Sequence, residues 1–147
     1  VSLDLASFTV VEAAADILDE LVCEYVDILL ANEDEARAFT GCDDEAAALN
    51  VLEKKAPITV VKKGKRGSLI SVDGRGYEFG IKGSGEAVDT TGAGDLWASG
   101  FLFGLVHGLP IERCGELAAA CGYEVCQVVG AAIPDDGWDR IRMVANG

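Results

Sequence analysis

The residues best suited to chemistry form one short string, Asp89-Thr90-Thr91-Gly92-Ala93-Gly94-Asp95. Apolar residues follow it at helical spacing, from Trp97 to Leu105, so the string should bend into the first turn of a helix. Amide N–H groups in a first turn have no partner inside the helix, and the helix dipole adds positive charge there. Glycines let a ligand approach the backbone, so this turn should bind a phosphate group or developing negative charge. Asp95 would repel such an anion, and accepting a proton from an attacking hydroxyl group would explain its presence.

An ordinary helix start explains the same residues without any chemistry, because the dipole favours a first-turn acid and glycines make turns. The longer string favours the chemical interpretation. Together with Ala98-Ser99-Gly100-Phe101, the string at 89–95 resembles the C-terminal signature of the PfkB, or ribokinase-like, carbohydrate kinases. One departure is Leu96-Trp97, where many members carry Thr-Phe. It keeps an aromatic residue at the second position, which indicates a packing variant.

The resemblance implies roles for the residues of the string. Asp95 would be the catalytic base. The backbone groups that would form the anion hole are those of Gly92, Ala93, Gly94 and Asp95.

Further roles follow from the same resemblance. Thr90, Gly92 and Gly94 would contact the nucleotide. Asp89 and Thr91 resemble positions that hold a monovalent cation beside the anion hole. The alternative is that Asp89 and Thr90 cap the helix.

A second motif, Asn32-Glu33-Asp34-Glu35, follows a short apolar strand. Asn32 is a plausible N-cap, and Glu35 stands where the reciprocal partner of a capping box would be. The spacing also resembles the family's Asn-x-x-Glu motif, which orders a metal ion and its waters near the phosphates. Both interpretations place the pair at the carboxyl ends of parallel strands, where open α/β sheets bind ligands. Oxygen ligands and water suit Mg²⁺.

The basic turn Lys62-Lys63-Gly64-Lys65-Arg66-Gly67 is a solvated hairpin on its simplest interpretation. The pattern also resembles a family segment beside the nucleotide. Gly64 and Gly67 would then let the backbone approach the nucleotide, and Lys62 or Lys63 could face its phosphates. Gly130, which opens a Gly-Ala loop similar to one in the family, would also contact the nucleotide. No Walker lysine motif is present, so a P-loop is not predicted.

Composition limits the classes of function. The formal net charge of −13 disfavours nucleic acid and anionic membranes as partners, because both need a basic face. The five cysteines are odd in number and lack Cys-x-x-Cys spacing, so neither a zinc site nor a disulfide framework is expected, and a cytoplasmic location fits best.

The elements that must position these residues alternate between strands and helices. Periodicity predicts strands at 1–5, 28–31, 58–61 and 68–72, with a hairpin at Asp73-Gly74. It predicts helices at 11–23, 36–39, 46–55, after the string, 111–129 and 138–144. In the 111–129 helix, Gly115 and Gly122 indicate close packing against a flat partner, either the motif helix or an adenine ring. The order predicts a three-layer α/β/α sandwich with a mainly parallel sheet.

The resemblance covers the whole chain but only the C-terminal portion of a family member, so we expect residues 1–147 to be the nucleotide-binding and catalytic-base half of a kinase domain. It implies an ATP- and Mg²⁺-dependent phosphotransferase that moves the γ-phosphate to a primary hydroxyl of a sugar. A nucleoside kinase of the same fold and a non-catalytic nucleotide-binding fragment or pseudokinase are the alternatives. The expected partner is a sugar or nucleoside, and the longer protein could form a homodimer. We expect the 147-residue chain alone to be inactive. A dinucleotide oxidoreductase is disfavoured, because no Gly-x-Gly-x-x-Gly follows an early strand.

Overall fold

The computed structural model describes all 147 residues, which divide into two compact units, Val1–Glu78 and Phe79–Gly147. None of the helices combines the length and the apolar character that crossing a membrane requires.

The first unit contains a sheet and four helices. Its strands are β1 (Ser2–Asp4), β2 (Ile28–Asn32), β3 (Ile58–Lys62), β4 (Ser68–Val72) and β5 (Arg75–Phe79), the last ending at the boundary. Its helices are α1 (Phe8–Ala13), α2 (Ala15–Tyr25), α3 (Glu33–Thr40) and α4 (Glu45–Leu52).

The strands lie side by side in chain order, β1 to β5. β1, β2 and β3 are parallel, with Asn32 beside Lys62 at their carboxyl ends. β4 then runs antiparallel to β3, and the predicted turn at Asp73-Gly74 leads into β5. The sheet is mainly parallel, as predicted, and its parallel strands lead into the Asn32 motif and the basic turn.

Helices cover one face of this sheet. Leu29, Ala31 and Val61 pack into a core with apolar residues of α1 to α4, such as Val22 and Leu52. Because side chains alternate along a strand, residues in the other register point to the opposite face. Asp4, Asn32 and Lys62 have that register, so the parallel strands end in polar side chains on the face opposite the helices.

The predicted helix at 11–23 is wrong in one respect, because the structure has two helices there. α1 and α2 meet at Ala14, whose φ of −105° and ψ of 8° interrupt the helical geometry. The first helix begins earlier than predicted, because the Ser7 side chain caps it by accepting a hydrogen bond from the Thr9 amide. Apolar spacing continues across the break, which explains why periodicity did not reveal it.

The second unit consists of three helices and the loop that precedes them. The helices are α5 (Ala93–Val106), α6 (Ile111–Val125) and α7 (Asp135–Asn146). α6 ends before the predicted boundary, and α7 begins earlier than predicted, directly after Pro134. A fixed φ makes proline suitable at a helix start.

Small residues let α5 and α6 approach closely. A Cβ atom at Gly104 would lie 2.8 Å from the Cys114 sulfur, and one at Gly100 would lie 2.8 Å from the Cys121 sulfur. Burial at this contact raises the pKa of the Cys121 thiol to about 11, so the thiol stays protonated and behaves as an apolar group.

The flat partners predicted for Gly115 and Gly122 are aromatic side chains. Gly122 packs against Trp97 of α5, as predicted for the motif helix, and Gly115 packs against the ring of Phe79.

A buried ion pair attaches α7 to α6. Glu124 is buried, and its two carboxylate oxygens accept hydrogen bonds of 2.8 and 2.7 Å from Arg140 Nε and Nη2. Arg140 Nη1 also donates to Asp136 at 2.9 Å. The paired geometry satisfies both oxygens of a carboxylate that would otherwise be costly to bury.

Candidate active site

The bend before α5 is formed by Gly92, which is the N-cap of the helix. Its φ of 75° lies in the left-handed region, and no side chain caps the helix. The Ala93 amide donates to the Thr90 carbonyl at 3.1 Å, whereas the amides of Gly92, Gly94 and Asp95 find no acceptor within their unit. The predicted turn of unpaired N–H groups is therefore present, and it can receive an anion.

Asp95 lies on the first turn of α5 with an exposed side chain. Within its unit, the carboxylate makes neither an ion pair nor a hydrogen bond, and its backbone carbonyl accepts from the Ser99 hydroxyl at 2.8 Å. The carboxylate is thus free to accept a proton from a ligand. The neighbouring Trp97 is buried and stacks on Phe101 with ring centroids 5.3 Å apart, as expected for a packing variant.

Asp89 closes the turn that leads into the bend. Its Oδ1 accepts hydrogen bonds from the Thr91 amide at 2.9 Å and the Thr91 hydroxyl at 2.7 Å. Its Oδ2 accepts from the Gly130 amide at 2.8 Å. The hydrogen bond from Gly130, followed by those from Thr91, lowers the pKa of Asp89, so its carboxylate stays ionised.

Two expectations are modified by these contacts. The alternative that Asp89 and Thr90 cap α5 is wrong, because the Asp89 side chain bonds to the turn and to Gly130 and no side chain caps the helix. Gly130 has a left-handed φ of 80°, and its amide is already used by Asp89. Any contact of Gly130 with a nucleotide would therefore be made by atoms other than its N–H.

In the first unit, Asn32 and Glu35 form the capping box that their spacing predicts. Asn32 Oδ1 accepts from the Glu35 amide at 2.9 Å. The two carboxylate oxygens of Glu35 accept from the Asn32 amide at 2.7 Å and from Asn32 Nδ2 at 2.8 Å. Burial raises the pKa of Glu35, and the Asn32 amide and the Lys62 ammonium group oppose that rise.

The oxygen atoms of this pair suit a hydrated Mg²⁺ better than a directly bound one. Each Glu35 oxygen already accepts one hydrogen bond, and a carboxylate oxygen has a second lone pair for a water molecule. No group of three or more His, Cys, Asp or Glu side chains is arranged to hold a metal ion. Mg²⁺ commonly keeps several waters, so contacts through water are chemically reasonable here.

The first two of the three lysines in the basic turn, Lys62 and Lys63, are held in ion pairs. Lys62 Nζ lies 2.7 Å from Asp4 Oδ2, and Lys63 Nζ lies 2.7 Å from Glu78 Oε1. The Lys62 and Lys63 side chains are 14% and 10% exposed, so neither is a freely solvated cation. The sequence did not reveal the pairing of Lys62 with Asp4, because the two residues are 58 positions apart and only the strand order brings them together.

The glycines of the basic turn have the backbone freedom that was expected. Gly64 begins a short 3₁₀ turn, Gly64–Arg66, with a φ of 53°, and Gly67 follows the turn with a φ of 87°. A Cβ atom at Gly64 would meet nothing within 4 Å, so the backbone there is open to a ligand. Arg66 instead forms ion pairs with Glu33 and Glu45, in keeping with a solvated position.

Solved structures of kinases have the same fold as this chain. A probable sugar kinase from Rhizobium etli CFN 42 matches with a TM-score of 0.91 and 31% identity, over 98% of this chain and 44% of that one. The adenosine kinase from Sinorhizobium meliloti matches with a TM-score of 0.90 and 29% identity, over 97% of this chain and 44% of that one. The fold is therefore the α/β fold of the ribokinase-like kinases.

The sequence relationships assign the family. Residues 6–137 match the pfkB family carbohydrate kinases. A cytidine kinase from Thermococcus kodakarensis is 39% identical over 119 residues, which cover 78% of this chain and 42% of the relative. The chain belongs to the pfkB family of carbohydrate kinases, and it spans less than half the length of these relatives.

Proposed function

We propose that the protein carrying this chain transfers the γ-phosphate of ATP to a primary hydroxyl group of a sugar or nucleoside. The observation that carries the proposal is the start of α5. Gly92 begins the helix in a left-handed conformation without a side-chain cap, so unpaired amides and the exposed carboxylate of Asp95 share one turn. Phosphoryl transfer needs both features, a cradle for negative charge and a group that accepts the proton of the attacking hydroxyl.

In the proposed reaction, Asp95 takes the proton of the acceptor hydroxyl group. The oxygen of that hydroxyl bonds to the γ-phosphorus while the bond between the γ-phosphorus and the departing ADP breaks. The amides of Gly92, Gly94 and Asp95 stabilise the charge on the transferring group, and the Ala93 amide can take part only by sharing or exchanging its hydrogen bond to the Thr90 carbonyl. The backbone that leads into these amides is fixed before the ligand arrives, because the Asp89 carboxylate accepts hydrogen bonds from Thr91 and from Gly130. Such preorganisation is the main contribution that a protein makes to this reaction.

Asn32 and Glu35 would hold water molecules of a hydrated Mg²⁺ ion, which supplies charge neutralisation on the phosphates when bound. The open backbone at Gly64 and Gly67, with Lys62 or Lys63, would contact the nucleotide, as would Thr90. For the lysines this requires that the ion pair with Asp4 or Glu78 be exchanged or shared. Asp89 and Thr91 are the residues proposed for a monovalent cation, and the lowered pKa of Asp89 would keep its negative charge available to that cation.

A nucleoside acceptor is a specific version of this proposal. It is supported by the identity to the cytidine kinase and by the structural similarity to the adenosine kinase. The similarity to the probable sugar kinase supports a sugar instead. A panel of sugars and nucleosides, assayed by ADP release with the full-length protein, would distinguish the two.

The test of the catalytic assignment is Asp95→Asn in the full-length protein. We expect intact folding and ATP binding, with turnover lowered on the order of 10²–10⁴-fold, the usual contribution of a general base. Asp135→Asn is the matched control, because Asp135 is also an exposed first-turn acid but has no glycine bend beside it. Near-normal turnover in Asp95→Asn would contradict the assignment. Calorimetry with ATP and with NAD tests the dinucleotide-binding alternative, which binding of ATP but not of NAD would exclude. ATP binding without any turnover would indicate a pseudokinase.

A further inference from the structure

One aromatic side chain of α6, that of Tyr123, contacts two positions of the loop before the bend, which is also joined to α6 by a partly exposed ion pair of Lys82 with Glu116. Residues on either side of Gly83 are exposed, whereas Gly83 itself is half-buried against the ring of Tyr123. A Cβ atom at Gly83 would overlap the ring carbons of Tyr123. Only glycine can therefore stack on the ring at this distance.

The hydroxyl group of the same tyrosine makes a second contact with the loop. The Gly85 amide donates a hydrogen bond of 3.1 Å to Tyr123 Oη. A Cβ atom at Gly85 would lie 2.8 Å from Oε1 of Gln127, which follows Tyr123 by four residues. The ring and the hydroxyl thus hold two positions of a loop that is otherwise exposed.

The next contacts along the chain also come from the end of α6 and from the loop after it. The amides of Val88 and Asp89 donate to the Cys126 carbonyl at 2.7 and 3.4 Å. The Asp89 carboxylate then accepts from Gly130. After the ion pair at Lys82, the chain that enters the bend is therefore held first by Tyr123, then by the Cys126 carbonyl, and last by the Gly130 amide.

We propose that Tyr123 is a positioning residue that holds the loop at Gly83 and Gly85 and thereby fixes the anion-binding bend at Gly92. This inference rests on the proposed function of the bend. Tyr123 makes no hydrogen bond to the bend or to Asp95, so it acts through the intervening backbone. Loss of the Tyr123 contacts should lower the fraction of molecules in which the bend has the conformation that binds an anion.

That mode of action separates affinity from turnover. When the competent conformation is only a fraction of the population, the apparent dissociation constant rises by the inverse of that fraction. A bound nucleotide selects the competent conformation, so the chemical step is unchanged once it is bound. A loosened Tyr123 contact should therefore raise KM for the nucleotide and leave kcat unaltered.

The test uses Tyr123→Phe and Tyr123→Ala, with Tyr25→Ala as the control, because Tyr25 is an exposed helical tyrosine whose side chain makes no hydrogen bond. In the 147-residue chain, amide hydrogen exchange is measured at Gly85, Val88 and Thr91. Tyr123→Phe should speed exchange at Gly85 by roughly twofold to tenfold, the effect of one lost neutral hydrogen bond. Tyr123→Ala should also speed exchange at Val88 and Thr91.

In the full-length protein, ATP affinity by calorimetry and steady-state kinetics complete the test. We expect Tyr123→Ala to weaken ATP binding by about tenfold or more, with kcat within about twofold of the unmodified protein. Unchanged exchange at Val88 and Thr91 in Tyr123→Ala would overturn the inference, as would a fall in kcat at unchanged KM. If the unmodified protein binds no ATP, the proposed function fails, and the exchange rates still decide whether Tyr123 fixes the bend.

Discussion

Gly92 is the residue on which the geometry of the bend depends. Its backbone is left-handed, and a Cβ atom there would lie 2.8 Å from the Ala131 Cβ. A side chain at this position would thus add conformational strain and a steric overlap at the same time. Both effects would move the amides that the proposed function requires.

We expect Gly92→Ala to lower the free energy of unfolding by about 1–2 kcal/mol through the left-handed backbone alone, and by more through the overlap. It should also abolish measurable ATP binding. Chemical denaturation and calorimetry would measure the two effects.

Gly108→Ala is the matched control, because Gly108 has a φ of 68° and a Cβ atom added there would meet nothing within 4 Å. It should show the strain alone, with ATP binding retained. Equal ATP affinity in Gly92→Ala and the unmodified protein would contradict the role of the bend.

At the residue scale, the features that depend only on neighbouring residues in the chain could be predicted from the sequence. The glycine bend, the exposed carboxylate of Asp95 and the capping box of Asn32 and Glu35 are all encoded within a few residues. The ion pairs of Lys62 and Lys63 and the hydrogen bond from Gly130 to Asp89 were not predicted. They join positions 15 to 58 residues apart, and local pattern does not specify such partners.

Among the elements, α7 is attached to α6 by two polar contacts, the buried pair of Arg140 with Glu124 and a hydrogen bond from Arg113 to the Val144 carbonyl. Removing Arg140 would leave the buried Glu124 carboxylate without its partner, and an unpaired buried charge is costly. Arg142, two positions further along the same helix, pairs only with the exposed Asp139. The two arginines therefore allow a comparison within one element.

We expect Arg140→Met to lower the thermal unfolding midpoint by roughly 3–10 °C, because the Glu124 carboxylate is largely shielded from water. Arg142→Met should change the midpoint little, since exposed ion pairs contribute little to stability. Thermal unfolding followed by circular dichroism would measure both. Equal midpoints for the two variants would show that the buried pair contributes no more than the exposed one.

The order of strands and helices followed from periodicity, and most element boundaries were close. Periodicity placed the parallel strands and the hairpin because strands and helices bury residues with different spacing. It joined α1 to α2 because the break at Ala14 does not change which residues are apolar. It set the start of α7 too late because the helix begins with the acids Asp135 and Asp136, which carry no apolar signal.

The whole chain carries a formal net charge of −13, and many of its ion pairs are exposed. Self-repulsion among acidic groups should therefore outweigh the attraction of these pairs. Added salt screens both the repulsion and the attraction, so the larger of the two determines whether salt raises or lowers the stability.

We expect the thermal midpoint to rise by a few degrees when NaCl increases from about 0.05 M to about 0.5 M, as the Debye length shrinks. Choline chloride is the control, because a bulky cation screens charge but should not occupy a site such as the one proposed at Asp89. A midpoint that falls with NaCl would show that the ion pairs dominate. A rise with NaCl that choline chloride fails to reproduce would indicate specific cation binding.

The capping box at Asn32 and Glu35 starts α3 whether or not a metal ion is present. A relative that does not carry out the proposed reaction would still gain from keeping both residues, because losing either one would weaken the start of the helix. The Asp95 side chain makes no stabilising contact within its unit, so selection on folding would not preserve it. In a lineage that has become a pseudokinase, an intact Asn-x-x-Glu spacing would therefore record selection on folding, and a substituted Asp95 would record the loss of activity.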